Sequence, residues 1–308
     1  MSCATGCDKT EYLKSIRRLA AYSDTIVNRL KKDRPAEWHD LLNPRQLRGG
    51  FQGVVVTYYP FPIWLYRFDD KVTRGLAVNI NSYRFQRDKH IDECSRVLAR
   101  FRGRTIGNAL RDAIDQTGKQ LMIYPFFNFA LYSVPPFVPL GLNSTAHPAI
   151  DRPDGSDSIV MFSPHMWNQD DEQEPGSAGF TGPGTQRDEV LFHELIHGLR
   201  YMAGVSEKAD PHDTDPEEEQ LAVILANIYV AEKNRQRELR GRHSEHFAPL
   251  QRPEDFLKNP QNRQILLHFQ SKQPDFFDAV ADVPAWWNPV RELRDAGVGR
   301  APPVRARR

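Results

Sequence analysis

Apolar positions recur along this chain mostly at helical spacing, interrupted by three stretches that read as strands. From Thr10 to Lys31, Leu13, Ile16, Leu19, Ala20, Ile26, Val27 and Leu30 fall on one stripe, which predicts an amphipathic helix. Asn43, Pro44, Gly49 and Gly50 break that pattern and mark a boundary between an N-terminal helical segment, 1–48, and the main body, 49–299. Past the boundary the runs Gly53 to Tyr59, Ile63 to Phe68 and Leu76 to Ile80 are rich in β-branched and aromatic residues and predict strands. Helices are predicted next over about Asp92 to Phe101 and Thr105 to Asp115, the second closed by Gly118; Leu121 to Tyr124 and Ser158 to Phe162 predict short strands.

The strongest helical pattern runs from Arg187 to Ala203 and stops at Gly204. A second begins among Glu217, Glu218 and Glu219, where acidic side chains suit the positive end of the helix dipole. It continues through Leu221 to Val230 with so little polar interruption that it must be buried. Short helices around Pro253 to Leu257, Gln261 to Gln270 and Pro284 to Leu293 are predicted to wrap the domain. The fold class expected is α+β: a small twisted sheet whose edge strand, Ser158 to Phe162, borders a cleft over the 187–203 helix, with helical extensions at both ends.

Composition narrows the functions. The 308 residues are 40% hydrophobic and 26% charged, ordinary for a globular chain. The formal net charge of +1 gives no global field to recruit nucleic acid or an anionic membrane surface. Charge asymmetry is confined to a basic tail, 300–308, with Arg300, Arg305, Arg307 and Arg308. Cys3, Cys7 and Cys94 show no disulfide-framework spacing, as expected of a reducing compartment. The first apolar segment is interrupted by Lys14, Arg17 and Arg18, so no classical signal peptide is expected. The uncharged stretch from Gln120 to Ile150 holds Pro125, Pro135, Pro136, Pro139 and Pro148, which excludes a continuous membrane helix; a strand and an extended aromatic loop are expected there.

The chemistry concentrates in His193-Glu194-Leu195-Ile196-His197. Histidines four apart on a helix stack on one face, close enough to share one metal ion. Glu194 lies about 100° round the helix from His193, placed to reach a metal-bound water without ligating. This is the pattern of a zinc-dependent peptidase, with His193 and His197 as ligands and Glu194 as general base. The extended metzincin pattern is rejected, because Arg200 and Ala203 stand where it needs Gly and His. A third ligand must come from elsewhere: Asp210, His212, Asp213 and Asp215 lie in the connection, and Glu217, Glu218 and Glu219 open the next helix. Helical geometry puts Glu219 on a face with Ala222, Val223 and Ala226, but Glu218 shares an apolar face too, so spacing alone leaves the choice open.

Three pieces, Phe192 to Gly198, Glu218 to Val223 and Asn234 to Leu239, resemble the NleD-like effector metallopeptidases, zincins that bacterial secretion systems inject into host cells. The likeness covers roughly 104–247. The Glu218-Glu219 step also resembles clostridial neurotoxin light chains, in which the second glutamate binds zinc, and by that analogy Glu219 is the third ligand. The thermolysin-like acid four residues later is absent; Val223 stands there. The resemblance implies an oxyanion-stabilising group near the end of this region, for which Arg237, His243 and His246 are the candidates. It also implies a zinc metalloendopeptidase acting on a protein or peptide substrate; the balanced charge and the proline-broken apolar stretch predict no nucleic-acid partner and no stable membrane insertion. Such a protein is a secreted effector or toxin delivered without a classical signal peptide and active in a cytoplasm. Two further readings stand beside it: a zincin-shaped partner-binding module and a cell-wall peptide hydrolase.

Overall fold

The computed structural model describes residues 28, 31–32, 51–58, 76–126, 144–149, 152–168, 181–206, 217–235, 237–243 and 247–297. Apart from Asn28, Lys31 and Lys32, which are helical and exposed, the helix expected over 10–31 lies outside them. So do the boundary at 43–50, the strand expected over 63–68 and the basic tail. The chain forms two compact units, one of residues 1–47 and 57–92, the other of residues 48–56 and 93–308.

Helix α1 (Leu76–Phe101) contributes to both units. The strand expected at Leu76–Ile80 is instead its first turn and a half. Five apolar-rich residues satisfy either period, and the turns beyond them decide for the helix: Tyr83, His90, Ile91, Cys94, Val97, Leu98 and Phe101 are all buried, at helical spacing. In the smaller unit Tyr58 meets the edges of Tyr83 and His90, at 5.7 and 5.8 Å between ring centroids. In the larger unit burial pushes the Cys94 thiol pKa up, so this cysteine serves as core.

The larger unit holds a mixed sheet. Its strands are β1 (Val54–Val56), β2 (Leu121–Tyr124), β3 (Ser144–Pro148) and β4 (Ser158–Phe162), in the order β1-β2-β4-β3. The first three in that order are parallel, and β3 runs antiparallel to β4. Ser158–Phe162 is therefore an interior strand, and the cleft-side edge is Ser144–Pro148, part of the proline-rich stretch expected to be an extended loop. The reason is compositional. Ser-Thr-Ala-His-Pro has no apolar run to announce a strand, whereas an edge strand needs none and tolerates a proline.

Of helices α2 (Thr105–Gln116), α3 (Arg187–Ala203) and α4 (Glu217–Lys233), α3 lies against this sheet and the other two pack on α3. Gln186 and Glu189 form a capping box at the start of α3, and Gly204 ends it with a left-handed φ of 69°. Gly198 lets α3 approach β2, because a Cβ there would collide with the Leu121 side chain. The Glu232 carboxylate of α4 accepts from the backbone N–H groups of Thr105 and Ile106, at 2.6 and 3.1 Å, and so caps α2.

Helices α3 and α4 are antiparallel and clamped at both ends. At the start of α3, buried Asp188 accepts from Lys233 Nζ and from the Tyr229 hydroxyl, each at 2.8 Å. At its far end Arg200 pairs with Glu218. Between the clamps, the rings of Phe192 and Tyr229 stack at 4.8 Å, and Phe101 meets both edge-on. Lys233→Met should leave the Asp188 and Glu189 carboxylates buried without their shared cation, destabilising the protein by about 3–5 kcal/mol. Denaturant unfolding measures this, and a loss below about 1 kcal/mol would mean the pair does not clamp the helices.

A C-terminal helical layer covers the far side: a 3-10 turn (Pro253–Lys258), α5 (Pro260–Lys272), α6 (Pro274–Ala281) and α7 (Pro289–Asp295). The helix expected over Pro284–Leu293 starts only at Pro289, where the Asn288 side chain caps it by accepting from the Arg291 N–H. Helix α6 was not anticipated, although Pro274 in its first turn is a start signal. No helix among the described residues is long and apolar enough to cross a membrane.

Candidate active site

Helix α3 carries His193, Glu194 and His197 into the larger unit with exposures of 8%, 7% and 5%. Glu219, from the first turn of α4, faces both histidines. Its Oε2 lies 3.2 Å from His193 Nε2 and 3.2 Å from His197 Nε2, and the two nitrogens are 3.1 Å apart. Tetrahedral zinc with bonds of about 2.0–2.1 Å spaces its ligand atoms about 3.3 Å apart, so this triangle fits the ion. His243 Nε2 approaches the same Glu219 oxygen at 3.4 Å, and its ring lies nearly parallel to that of His193 at 5.9 Å. Donor atoms of His193, Glu219 and His243 form a looser group, all within 4.8 Å of one another. The triangle through His197 is the tighter set and matches zinc distances better.

The electrostatics of the triangle also fit a cation. Burial, partly opposed by the hydrogen bond to Glu219, pushes the His193 pKa down to about 3. Burial acts the same way on His197, but hydrogen bonds to Glu218 and Glu219 overcome it and drive that pKa up to about 10. Against burial, the same two histidines hold the Glu219 carboxyl far below the usual range. The carboxylates thus favour positive charge between the rings, which a divalent ion held by neutral imidazoles would supply.

Glu218 has a separate task. It accepts from Arg200 Nε at 2.8 Å with each oxygen, and from His197 Nδ1 at 3.4 Å. A carboxylate on the far ring nitrogen fixes the tautomer that leaves Nε2 free for a metal. His193 has no such support: its Nδ1 is buried without a hydrogen-bond partner among the described residues.

Glu194 points at the edge strand, where the Ser144 hydroxyl donates to its Oε1 at 2.8 Å. Burial raises its pKa to about 7, with the His197 charge and the Ser144 hydrogen bond opposing. A carboxylate poised there can take a proton from water and return it near neutrality.

Of the remaining site residues expected from sequence, Arg237 is drawn to Glu189 at 3.4 Å, at the start of α3, and not to the triangle. His246 and the alternative ligands Asp210, His212, Asp213 and Asp215 lie outside the described residues. Ser144 and Arg240 were not anticipated. Arg240 is pinned by Asn227 of α4, which donates to its carbonyl at 2.7 Å and accepts from its N–H at 2.9 Å. Its guanidinium lies 4.4 Å over the Phe247 ring, and its charge acts on both His193 and Glu194.

A family profile, peptidase M91, described as effector protein, matches residues 89–245, about half of the chain. Searches of curated proteins and of solved structures return no match.

Proposed function

The chain belongs to the M91 peptidase family of effector proteins, the NleD-like family, and we propose that it is a zinc-dependent endopeptidase acting on a protein substrate inside the cell it is delivered to. The observation that carries this reading is the triangle of His193, His197 and Glu219 beside a buried Glu194. His193 Nε2, His197 Nε2 and Glu219 Oε2 are the atoms that would hold zinc, leaving one position for water or substrate. Bound there, zinc supplies Lewis-acid polarisation of a peptide carbonyl and lowers the pKa of a neighbouring water.

The rest is the work of the chain. Glu194, kept near neutrality by burial and aimed by Ser144, takes the proton of the attacking water. It then delivers that proton to the leaving amine. Arg240 and His243 are the groups placed to favour negative charge developing on the carbonyl oxygen. The pairing of Arg237 with Glu189 favours these two over Arg237 in that role.

The test pairs metal with cleavage. Protein purified without added metal should carry about one zinc per chain, and terminal-fragment mass spectrometry of treated lysate should yield new termini that a chelator abolishes. A preparation that takes up no zinc on titration and gains no thermal stability would end this reading.

A further inference from the structure

The C-terminal helical layer lies beyond the matched segment 89–245, yet a line of polar contacts joins it to the candidate metal triangle. It begins at Gln273, the residue between α5 and α6, whose Oε1 accepts from Arg200 Nη1 at 3.1 Å. Arg200 Nη2 donates to the Val205 carbonyl at 2.9 Å, and Nε donates to Glu218. Glu218 in turn accepts from His197 Nδ1 at 3.4 Å. The Arg200 and Glu218 side chains are only 4% and 6% exposed, so neither can exchange its partner for water. Their geometry is therefore fixed by the protein alone.

We infer that Arg200 and Gln273 are positioning residues for the metal: through Glu218 they hold the His197 ring in the orientation and tautomer that present Nε2 to the ion. The C-terminal layer thereby sets how tightly the metal is kept. Arg200 stands where the extended metzincin pattern has a glycine, and here it supports a ligand already present. The support is asymmetric, since His193 Nδ1 has no partner among the described residues, so His197 is the ligand that gains from it. This inference rests on the zinc reading of the site.

The experiment tracks Zn2+ release from full-length protein into a competing chelator, together with the thermal midpoint of the metal-free form. Arg200→Lys keeps the charge but loses the planar fork, and should speed release about ten- to a hundredfold. Gln273 stands at the cap position between α5 and α6, but it caps through its backbone and its side chain makes no capping hydrogen bond. Gln273→Ala should therefore speed release about two- to tenfold, with the metal-free midpoint close to the parent's. Parent-like release from a folded Arg200→Lys, or a Gln273→Ala that lowers the metal-free midpoint and leaves release unchanged, overturns the inference. Should Arg200→Lys fail to fold, Gln273→Ala decides alone. A parent that holds no zinc removes the proposed function and this inference together, whereas parent-like release from variants of a zinc-holding parent removes only the inference.

Discussion

Glu194→Gln is expected to keep fold and zinc while turnover falls about 10²- to 10⁴-fold, the usual contribution of a positioned general base. The amide fills the same buried volume and still accepts from Ser144, but it cannot take a proton. Because the base works ionised, activity in the parent should rise with pH along an acid limb. That limb lies at or below about 7, where burial places Glu194 before a bound cation lowers it. The Ser144 hydroxyl pulls this pKa down, so Ser144→Ala should move the limb to higher pH and leave zinc content unchanged. Activity of Glu194→Gln above a few per cent of parent would assign the base to another residue, and an unmoved limb in Ser144→Ala would dismiss the edge-strand contact.

Glu219→Ala should weaken zinc binding well beyond the roughly hundredfold loss expected when an outer support is removed, as in Glu218→Ala. The geometry separates the two neighbours: Glu219 Oε2 sits 3.2 Å from Nε2 of both His193 and His197, while Glu218 reaches only Nδ1 of His197 and spends both oxygens on Arg200. Glu217 lies 3.8 Å from His268, and alanine there should leave zinc affinity unchanged. Chelator competition across the three variants reads the order directly. If Glu218→Ala loses more than Glu219→Ala, the ligand is misassigned by one residue. If all three retain tight binding, the ligand is among Asp210, His212, Asp213 and Asp215.

The sequence is legible wherever short-range periodicity encodes the structure. Helix α3 has the bounds its pattern predicts, from Arg187 to Ala203, because capping, apolar spacing and Gly204 all speak within a few residues. The histidine–glutamate set is legible for the same reason: helical spacing alone brings His193 and His197 together. Contacts between distant segments are not legible. Ser144 meets Glu194 across fifty residues, from a strand whose composition carries no strand signal. The division of labour between Glu218 and Glu219 depends on which way α4 is rotated, and Arg200 and Asp188 fix that rotation from α3. Arg237 resembles an oxyanion donor because it comes just after a buried helix, but a buried carboxylate at Glu189 claims it.

The two-ended clamp on α3 and α4 also bears on how such a protein can change over evolutionary time. Since Arg200–Glu218 and Asp188–Lys233 set the register of α4 independently, the linker 207–216 need not measure out that register. Insertions in that stretch of sequence are therefore expected to leave Glu219 in place, so its length can change while the contacts between α3 and α4 stay constant.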